Sequence, residues 1–291
     1  VVRGRGYDPV WTRYFHVRGW ILGSAPLRRV GLSAHDAHCH PGCAILDPGS
    51  ANRFLQFLPE RSRFASTMMP AAEFDSFVTS YESDLDQALS VSGESKDFFA
   101  EGRVRWLAGC LRLLGFQPIS ALDYGCGIGG TAILLRELLP AASVFGLDVS
   151  RRSIELAKTR HEAEGIRFFT FEEYAPAADI DLAYCNGVFH HIPPAERDQA
   201  VSHIYGALRP GGLFALWENN PWNPGTRYVM SKCAFDRNAI TLSPPQTAKL
   251  VQRHGFQVLR TDFCFFFPRA LRWFRILEPS LAGVPLGAQY L

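Results

Sequence analysis

The stretch that decides the fold of this chain is ALDYGCGIGG, residues 121–130. Residues 119–124 are short, largely apolar and preceded by Pro118, which predicts a strand buried on both faces. Residues 131–139 (TAILLRELL) show helical periodicity and stop at Pro140. The glycines between them allow a sharp turn and let a ligand approach the backbone, at the positive end of the following helix. The stretch therefore predicts a strand, a turn that binds a polar or anionic ligand, and a helix.

The glycine turn alone leaves two ligand classes open. Gly125, Gly127 and Gly130 satisfy the G-x-G-x-x-G pattern of dinucleotide-binding folds, so NAD or FAD must be considered. Asp123 stands where a dinucleotide fold usually has an apolar residue, and an acid there can accept from an ammonium group. Asp148 ends a second predicted strand, and an acid at that point can bind both hydroxyls of a ribose in either ligand class.

Four segments extend the pattern beyond the glycine turn: LDYGCGIGG, FGLDVS, DLAYCNGVFHHI and LRPGG, within roughly residues 119–217. In this order and spacing they resemble the class I S-adenosylmethionine-dependent methyltransferase family. The resemblance implies S-adenosyl-L-methionine as the cofactor and a Rossmann-like, seven-stranded, mostly parallel sheet with helices on both faces. Alternating patterns independently predict a doubly wound α/β fold, with strands at 119–124, 143–147, 166–171, 180–185 and 213–218 and helices at 129–139, 150–164 and 194–208.

The resemblance also implies which residues contact the cofactor. Asp123 and the glycine turn would hold the methionine end, Asp148 the ribose, and Asn186 the wall beside the methionine. Phe171 and Glu172 follow the third strand, where members of the family often place a residue that contacts adenine. The expected cofactor-binding residues are Asp123, Gly125, Cys126, Gly127, Gly129, Asp148, Val149, Phe171, Glu172 and Asn186.

Two side chains are candidates for catalysis. His191 belongs to a His pair just after the fourth strand and could act as a general base, or one His of the pair could only fix the loop by a hydrogen bond. Glu218 ends the fifth strand and could hold or deprotonate an acceptor, or only cap the loop. Residues 185–188 (CNGV) lack the Asp/Asn-Pro-Pro-aromatic motif shared by enzymes that methylate amino groups of bases or glutamine.

Residues 217–245 are rich in proline and asparagine, and this insertion is predicted to determine acceptor specificity. Besides Glu218, the residues of interest are Trp222, Arg227 and Tyr228, and 228–235 is predicted to contain a short helix. Its aromatic composition favours an enclosed small-molecule acceptor, methylated on oxygen or nitrogen.

The composition argues against several other classes of protein, including nucleic-acid-binding, membrane-spanning and secreted proteins. With 47% hydrophobic and 20% charged residues among 291, and a net charge of +2, the chain has an ordinary globular composition and no general nucleic-acid signature. The sequence contains no run of 18 apolar residues, so no membrane span is predicted. No signal peptide is expected either. Seven cysteines without a C-x-x-C pair favour a reducing, cytoplasmic location; the oligomeric state is left open.

The segment before the sheet divides into two parts. Residues 1–67 lack regular periodicity and are expected to be a poorly ordered or non-native N-terminal extension. No metal site is expected in the chain. In this segment no second ligand pair at zinc-finger spacing accompanies the His and Cys residues, which are His35, His38, Cys39, His40 and Cys43. Residues 68–115 are expected to form a helical lid over the methyltransferase domain at 116–291, with candidate lid aromatics Phe74, Tyr81, Phe98 and Phe99.

The C-terminal part is predicted to hold a helix at 244–254, a strand at 256–262, a helix-like basic run at 269–277 and a final antiparallel strand within 287–291. The sequence is expected to stop inside that strand. Two rival functions remain. One is an NAD-binding oxidoreductase, which rests on the glycine pattern alone, and the other is an inactive binding protein of methyltransferase fold.

Overall fold

The computed structural model describes residues 81–291, with side chains described from residue 84 onward. The predicted extension at 1–67, its His and Cys residues, and Phe74 of the expected lid lie outside the described residues. The side chain of Tyr81, a second expected lid aromatic, also lies outside them.

The described chain builds one sheet of seven strands in the order β3-β2-β1-β4-β5-β7-β6. Strands β1 to β5 pair in parallel, and β7 pairs antiparallel with both β5 and β6. The mostly parallel, seven-stranded fold predicted from the sequence is therefore confirmed. The strands are β1 (Ser120–Tyr124), β2 (Ser143–Asp148), β3 (Ile166–Thr170), β4 (Ile180–Asn186), β5 (Leu208–Asn219), β6 (Phe263–Cys264) and β7 (Gln289–Tyr290).

Helices connect the strands and precede the sheet. They are α1 (Tyr81–Leu89), α2 (Lys96–Leu114), α3 (Gly130–Leu138), α4 (Arg151–His161), α5 (Arg197–Ala207), α6 (Pro224–Lys232), α7 (Pro244–Arg253) and α8 (Glu278–Leu281). Short 3₁₀ helices cover Ser90–Ser92, Ala234–Asp236 and Arg269–Leu277. Helix α2 begins at Ser95, whose side chain accepts from the Phe98 N–H, and ends at Gly115 in the left-handed conformation.

The strand order reverses between β1 and β4. Strand β1 pairs with β2 on one side and with β4 on the other, so the two halves of the sheet wind in opposite directions from this point. Ligands of open parallel sheets bind outside the carboxyl ends of the strands at such a switch point. Strand β1 is buried from Ala121 to Tyr124, as its apolar sequence predicted.

Two strand predictions need correction. Residues 256–262 form no strand: β7 pairs with Phe263–Cys264, and within 256–262 the pairing reaches no further than Asp262, which exchanges backbone hydrogen bonds with Leu291. Residues 208–212 precede the strand predicted at 213–218 but lie within β5, although Gly211 has a φ of 78° and the register with β4 shifts there. The predicted antiparallel final strand is confirmed as β7.

The insertion after β5 is fixed beside β7. The Asn220 side-chain amide donates to the Gly287 carbonyl at 2.8 Å, and the Thr226 hydroxyl donates to the Ala288 carbonyl at 2.7 Å. Asn223 caps α6 by accepting from the Thr226 N–H. These bonds hold α6 at the carboxyl end of the sheet. None of the helices in residues 81–291 combines the length and the apolar composition needed to span a bilayer.

Candidate active site

A cavity of about 910 Å³ lies at the carboxyl ends of β1, β2 and β4. It brings together most of the site residues predicted from the sequence. Those that line it are Gly125, Cys126, Gly127, Asp148, Val149, Phe171, Asn186 and His191. Asp123, Gly129, Glu172 and Glu218 do not line it.

The glycine turn is held tightly against the end of β2. The N–H groups of Gly125 and Cys126 both donate to the Leu147 carbonyl, at 2.7 and 2.8 Å. Gly125 has a φ of 79°, and a Cβ placed on it would lie 2.3 Å from a methyl group of Val188. Glycine is required here both by the backbone conformation and by the close approach of the loop after β4.

Asp148 closes the turn from the neighbouring strand. One carboxylate oxygen accepts from the Gly127 N–H at 2.8 Å, and the other accepts from the Ser150 N–H at 2.9 Å. Each carboxylate oxygen can accept more than one hydrogen bond. Asp148 therefore orders the glycine turn and still presents acceptor capacity to the cavity.

Asp123 is a buried carboxyl group behind the glycine turn. Its side chain is 2% exposed, and one oxygen has no hydrogen-bond partner among the described residues. Burial, and then the nearby Asp148 charge, raise the pKa of Asp123 to about 7, against a smaller opposing effect of Arg103. An unsatisfied buried carboxyl group is costly and suits a position that a cationic ligand group completes.

The two residues expected near adenine separate in space. Phe171 is buried, lines the cavity and lies against Tyr124 with ring centroids 4.8 Å apart. Glu172 is exposed, and its carboxylate lies 3.5 Å from Arg151. Adjacent residues after a strand diverge in this way, so only Phe171 faces the cavity.

A buried ion pair organises the His residues after β4. Glu218, which is 0% exposed, lies 2.6 Å from Nδ1 of His190, and its other oxygen accepts from the Phe189 N–H at 2.8 Å. Nε2 of His190 and Nε2 of His191 lie 3.5 and 3.4 Å from the same oxygen of Asp236. Glu218 therefore reaches the cavity only through His190.

The two imidazoles have opposite pKa shifts. Burial by itself would lower the pKa of His190, but the Glu218 and Asp236 carboxylates raise it to about 10. Burial, and then the neighbouring His190 charge, lower the pKa of His191 to about 4. At neutral pH His190 is therefore the protonated, positively charged imidazole of the pair, and His191 is neutral.

Comparison with known proteins agrees with this geometry. Residues 122–214, from β1 to β5, match the family described as "Methyltransferase domain". This segment is therefore similar to a methyltransferase domain, in agreement with the resemblance to the class I S-adenosylmethionine-dependent methyltransferases. The family and the cofactor predicted from the sequence, S-adenosyl-L-methionine, are thereby confirmed.

Similar proteins include two named trans-aconitate 2-methyltransferase. The protein from Methylobacterium radiotolerans is 28% identical over 152 residues, which are 52% of this chain and 58% of that protein. The protein from Escherichia coli O157:H7 is 27% identical over 134 residues, 44% of this chain and 52% of that protein. The chain spans about half the length of the curated relatives it matches.

A solved S-adenosylmethionine-dependent methyltransferase from Thermotoga maritima has the same fold. It superposes with a TM-score of 0.52 at 19% identity, over 75% of this chain and 94% of that one. At this identity the similarity concerns the fold, including the sheet whose carboxyl edge carries the cavity.

The cavity has a second wall that comes from outside the matched segment. Phe98 and Phe99 of α2 pack edge-on against Phe265, with centroids 6.3 and 5.1 Å apart. All three line the cavity, as expected for Phe98 and Phe99. Arg103 of α2 also lines it, is 8% exposed and donates to the Gln289 side-chain oxygen at 3.0 Å.

Sequence reasoning missed several residues of this site. Arg103 was hidden among apolar positions of α2, although an Arg on the buried face of an amphipathic helix is itself a signal. Asp236 and Cys233 lie in the insertion, where the sequence drew attention to Trp222 and Tyr228 instead. Those two aromatics are about half exposed and do not line the cavity. Nor does Arg227; the lining residues of α6 and its N-cap are Asn223, Gly225, Thr226, Val229 and Met230.

Proposed function

We propose that this protein transfers the methyl group of S-adenosyl-L-methionine to an oxygen or nitrogen of a small-molecule acceptor. The observation that carries the proposal is one continuous cavity shared by the glycine turn, Asp148, the His pair and the aromatic wall. Its volume of about 910 Å³ lies toward the upper end of small-molecule sites. A cofactor and a small acceptor can therefore share it.

The cofactor roles follow from position. Asp148 would accept from the ribose hydroxyls, and Phe171 and Val149 would contact the adenine. Asn186 would flank the methionine. The buried carboxyl group of Asp123 would complement the methionine ammonium group, directly or through water. The glycine turn would supply backbone contacts, through Gly125, Cys126, Gly127 and Gly129, and Glu172 would remain at the rim.

Methyl transfer from a sulfonium requires few catalytic groups from the protein. The sulfonium is already activated, so the site must align donor and acceptor at roughly 3–3.5 Å and exclude water. His191 lines the cavity in its neutral form and can accept a proton from a hydroxyl acceptor. With a pKa near 4 it is a weak base. Glu218 acts as a positioning residue, because it contacts His190 and not the cavity.

The side chain of Arg103 indicates which chemical class of acceptor the cavity favours. It is a buried cation in the cavity wall, near the aromatic cluster, and Gln289 beside it donates to the Asn219 side-chain oxygen at 3.1 Å. A buried guanidinium favours a ligand that carries a carboxylate or another anion. Both relatives named above are methyltransferases of a small carboxylic acid by name. Small carboxylic acids are therefore the first acceptors to test.

The domain organisation enters the proposal as well. Residues 68–115 would act as a helical lid, 116–291 as the methyltransferase domain and 217–245 as the specificity insertion. All five cysteines among the described residues are free, which supports a reducing, cytoplasmic environment.

Two measurements on the full chain test the proposal. The first is a thermal shift with S-adenosylhomocysteine and with NAD. A ligand at a hundred times its dissociation constant adds about 2.7 kcal/mol, so S-adenosylhomocysteine is expected to raise Tm by roughly 5–10 °C and NAD to leave it unchanged. The second is transfer of a labelled methyl group to a panel of carboxylic acids, phenols and amines.

The outcomes separate the alternatives. A shift with NAD alone would overturn the proposal in favour of an oxidoreductase. A shift with S-adenosylhomocysteine but no transfer to any acceptor would favour an inactive binding protein of this fold. Carboxylic acids are supported as the acceptor class if the wild-type protein methylates them and the Arg103→Met variant does not, while the variant keeps its affinity for the cofactor.

A further inference from the structure

We propose that His190, His191 and Asp236 form a binding site for a first-row transition-metal dication such as Zn²⁺ in the wall of the cavity. The two imidazoles come from the loop after β4, and the carboxylate comes from the 3₁₀ helix that follows α6. Their ligand atoms all lie within 4.8 Å of one another. Among the described side chains, no second group of three His, Cys, Asp or Glu ligands lies so close.

The distances fit a metal better than a hydrogen-bond network. Nε2 of His190 and Nε2 of His191 lie 3.5 and 3.4 Å from the same Asp236 oxygen. Both distances exceed the usual range for N–H···O hydrogen bonds, about 2.7–3.2 Å. Metal–ligand bonds of about 2.0–2.1 Å in a tetrahedral site place neighbouring ligand atoms about 3.4 Å apart. Two of the three distances between ligand atoms therefore match those of a tetrahedral site, and the third is no more than 4.8 Å.

The ring nitrogen of His190 that faces away from Asp236 makes the hydrogen bond expected of a metal-binding His. Its Nδ1 lies 2.6 Å from the buried carboxylate of Glu218, which leaves Nε2 directed at Asp236. A dication that binds here displaces the Nε2 proton that His190 carries in the ion-free protein, while the Nδ1 proton stays on the Glu218 hydrogen bond. Metal-binding His residues almost always donate their other ring nitrogen to a carboxylate or carbonyl, which fixes the ring and raises its basicity. Glu218 gives His190 this orientation before any ion binds.

The backbone also holds the ligand-bearing segments together. The Ile240 N–H donates to the His190 carbonyl at 2.7 Å, so the segment after Asp236 is tied to the His loop. The Arg197 side chain donates to the carbonyls of Phe189 and Ile192 at 3.1 and 2.9 Å on either side of the His pair. The ligands therefore keep their spacing without support from an ion.

Ligand chemistry sets the class of metal. Two imidazoles and one carboxylate suit Zn²⁺, Co²⁺, Fe²⁺ or Mn²⁺ rather than Ca²⁺ or Mg²⁺, which prefer oxygen ligands. All three residues line the cavity, as does the Cys233 thiol beside them. Three protein ligands leave a position for the thiol or for an acceptor oxygen from the cavity. A hydroxyl bound to the metal loses its proton more readily than a free hydroxyl.

The test measures metal binding without turnover, so it is independent of the proposed function. The full chain is used without a tag, with its N-terminal ligands removed by the substitutions His35→Ala, His38→Ala, His40→Ala, Cys39→Ser and Cys43→Ser. Zn²⁺ affinity is measured by chelator competition, stoichiometry by elemental analysis, and coordination by the visible absorption of the Co²⁺ form.

One equivalent of Zn²⁺ is expected to bind this background protein. His191→Ala and Asp236→Asn should each weaken binding about 100-fold or more, because each removes one of three ligands. His254→Gln is the matched control, since His254 pairs with Asp198 at 2.7 Å but belongs to no group of three metal-ligating side chains in the described part of the chain. Its affinity should stay within about twofold of the background protein.

Two results would overturn the proposal: a folded background protein that binds no stoichiometric Zn²⁺ or Co²⁺, or an Asp236→Asn variant with undiminished affinity. Circular dichroism reports folding of each variant. If His191→Ala does not fold, His191→Gln removes the imidazole and keeps the side-chain volume, and the same loss of affinity is expected.

Discussion

The buried carboxyl group of Asp123 makes the stability of the ligand-free protein depend on pH in an unusual direction. Burial and the Asp148 charge raise the pKa of Asp123 to about 7, whereas an unfolded chain returns it to about 3.9. A group whose pKa is raised in the folded state stabilises the fold below the unfolded pKa and loses that contribution as pH rises through the folded pKa. The ligand-free protein should therefore lose stability between pH 5 and pH 8.

The size of this effect follows from the two pKa values. With one titrating group, the free energy of unfolding falls by about 3 kcal/mol between pH 5 and pH 8. For a domain of this size that corresponds to a fall in Tm of roughly 6–12 °C. Asp123→Asn removes the titration but keeps the shape of the side chain.

The assay is urea unfolding of wild type and Asp123→Asn at pH 5, 6, 7 and 8 without ligand. The variant is expected to be more stable than wild type at pH 8, and its advantage should shrink by about 3 kcal/mol at pH 5. The comparison of the two proteins cancels other groups that titrate in this range. A difference that is the same at pH 5 and pH 8 would refute the assignment of a raised pKa to Asp123.

Three further substitutions test the site. Asp148→Ala should weaken S-adenosylhomocysteine binding by roughly 1–3 kcal/mol in calorimetry, because it removes the charged acceptor and its bond to the Gly127 N–H. Gly125→Ala should destabilise the fold by more than about 1 kcal/mol in urea unfolding, because the new Cβ meets Val188 at 2.3 Å and φ is 79°. Glu218→Gln should cost roughly 1.5–3 kcal/mol of stability in the same assay, because an amide cannot accept from both the Phe189 N–H and His190.

Each of these has a control. Asp148→Asn keeps acceptor capacity on one oxygen and should lose less affinity than Asp148→Ala; equal affinity of both variants with wild type would refute the ribose assignment. Gly115→Ala shares the left-handed backbone, with a φ of 65°, but meets nothing within 4 Å, so it should cost less than Gly125→Ala. A Glu218→Gln protein as stable as wild type would show that the His190 pair is energetically neutral.

The region from β1 to β5 could be read from the sequence because its signals are local. A buried parallel strand has a continuous apolar run, and a glycine turn needs glycines at fixed positions. The chain therefore predicted β1, the turn at Gly125 and the acid at Asp148, and the structure brings them to one cavity. The family match covers this same segment.

The acceptor side could not be predicted in the same way because its contacts are long-range. His190 and Glu218 stand 28 residues apart, and Arg103 and Gln289 stand 186 apart. A helix pattern indicates that one face of α2 is buried but not that Arg103 faces a cavity. In the insertion, helix α6 turns Tyr228 outward and leaves Thr226 and Met230 facing inward, and Trp222 is half exposed in the turn before the helix.

The strand prediction for residues 256–262 was wrong for a related reason. A short segment after a helix can be read as a strand, but a strand exists only where a partner supplies hydrogen bonds, and β7 pairs with Phe263–Cys264. Pairing is a property of two segments, and one segment cannot determine it.

By itself the sequence determined the doubly wound sheet, the glycine turn and the cofactor class. These depend on periodicity and on backbone conformations that particular residue types favour or forbid. Only the tertiary structure decided that Glu218 lies behind His190, that Glu172 faces solvent, and that Asp236 joins the His pair. The physical reason is that direction and distance between side chains of separate elements are set by packing, which no local pattern records.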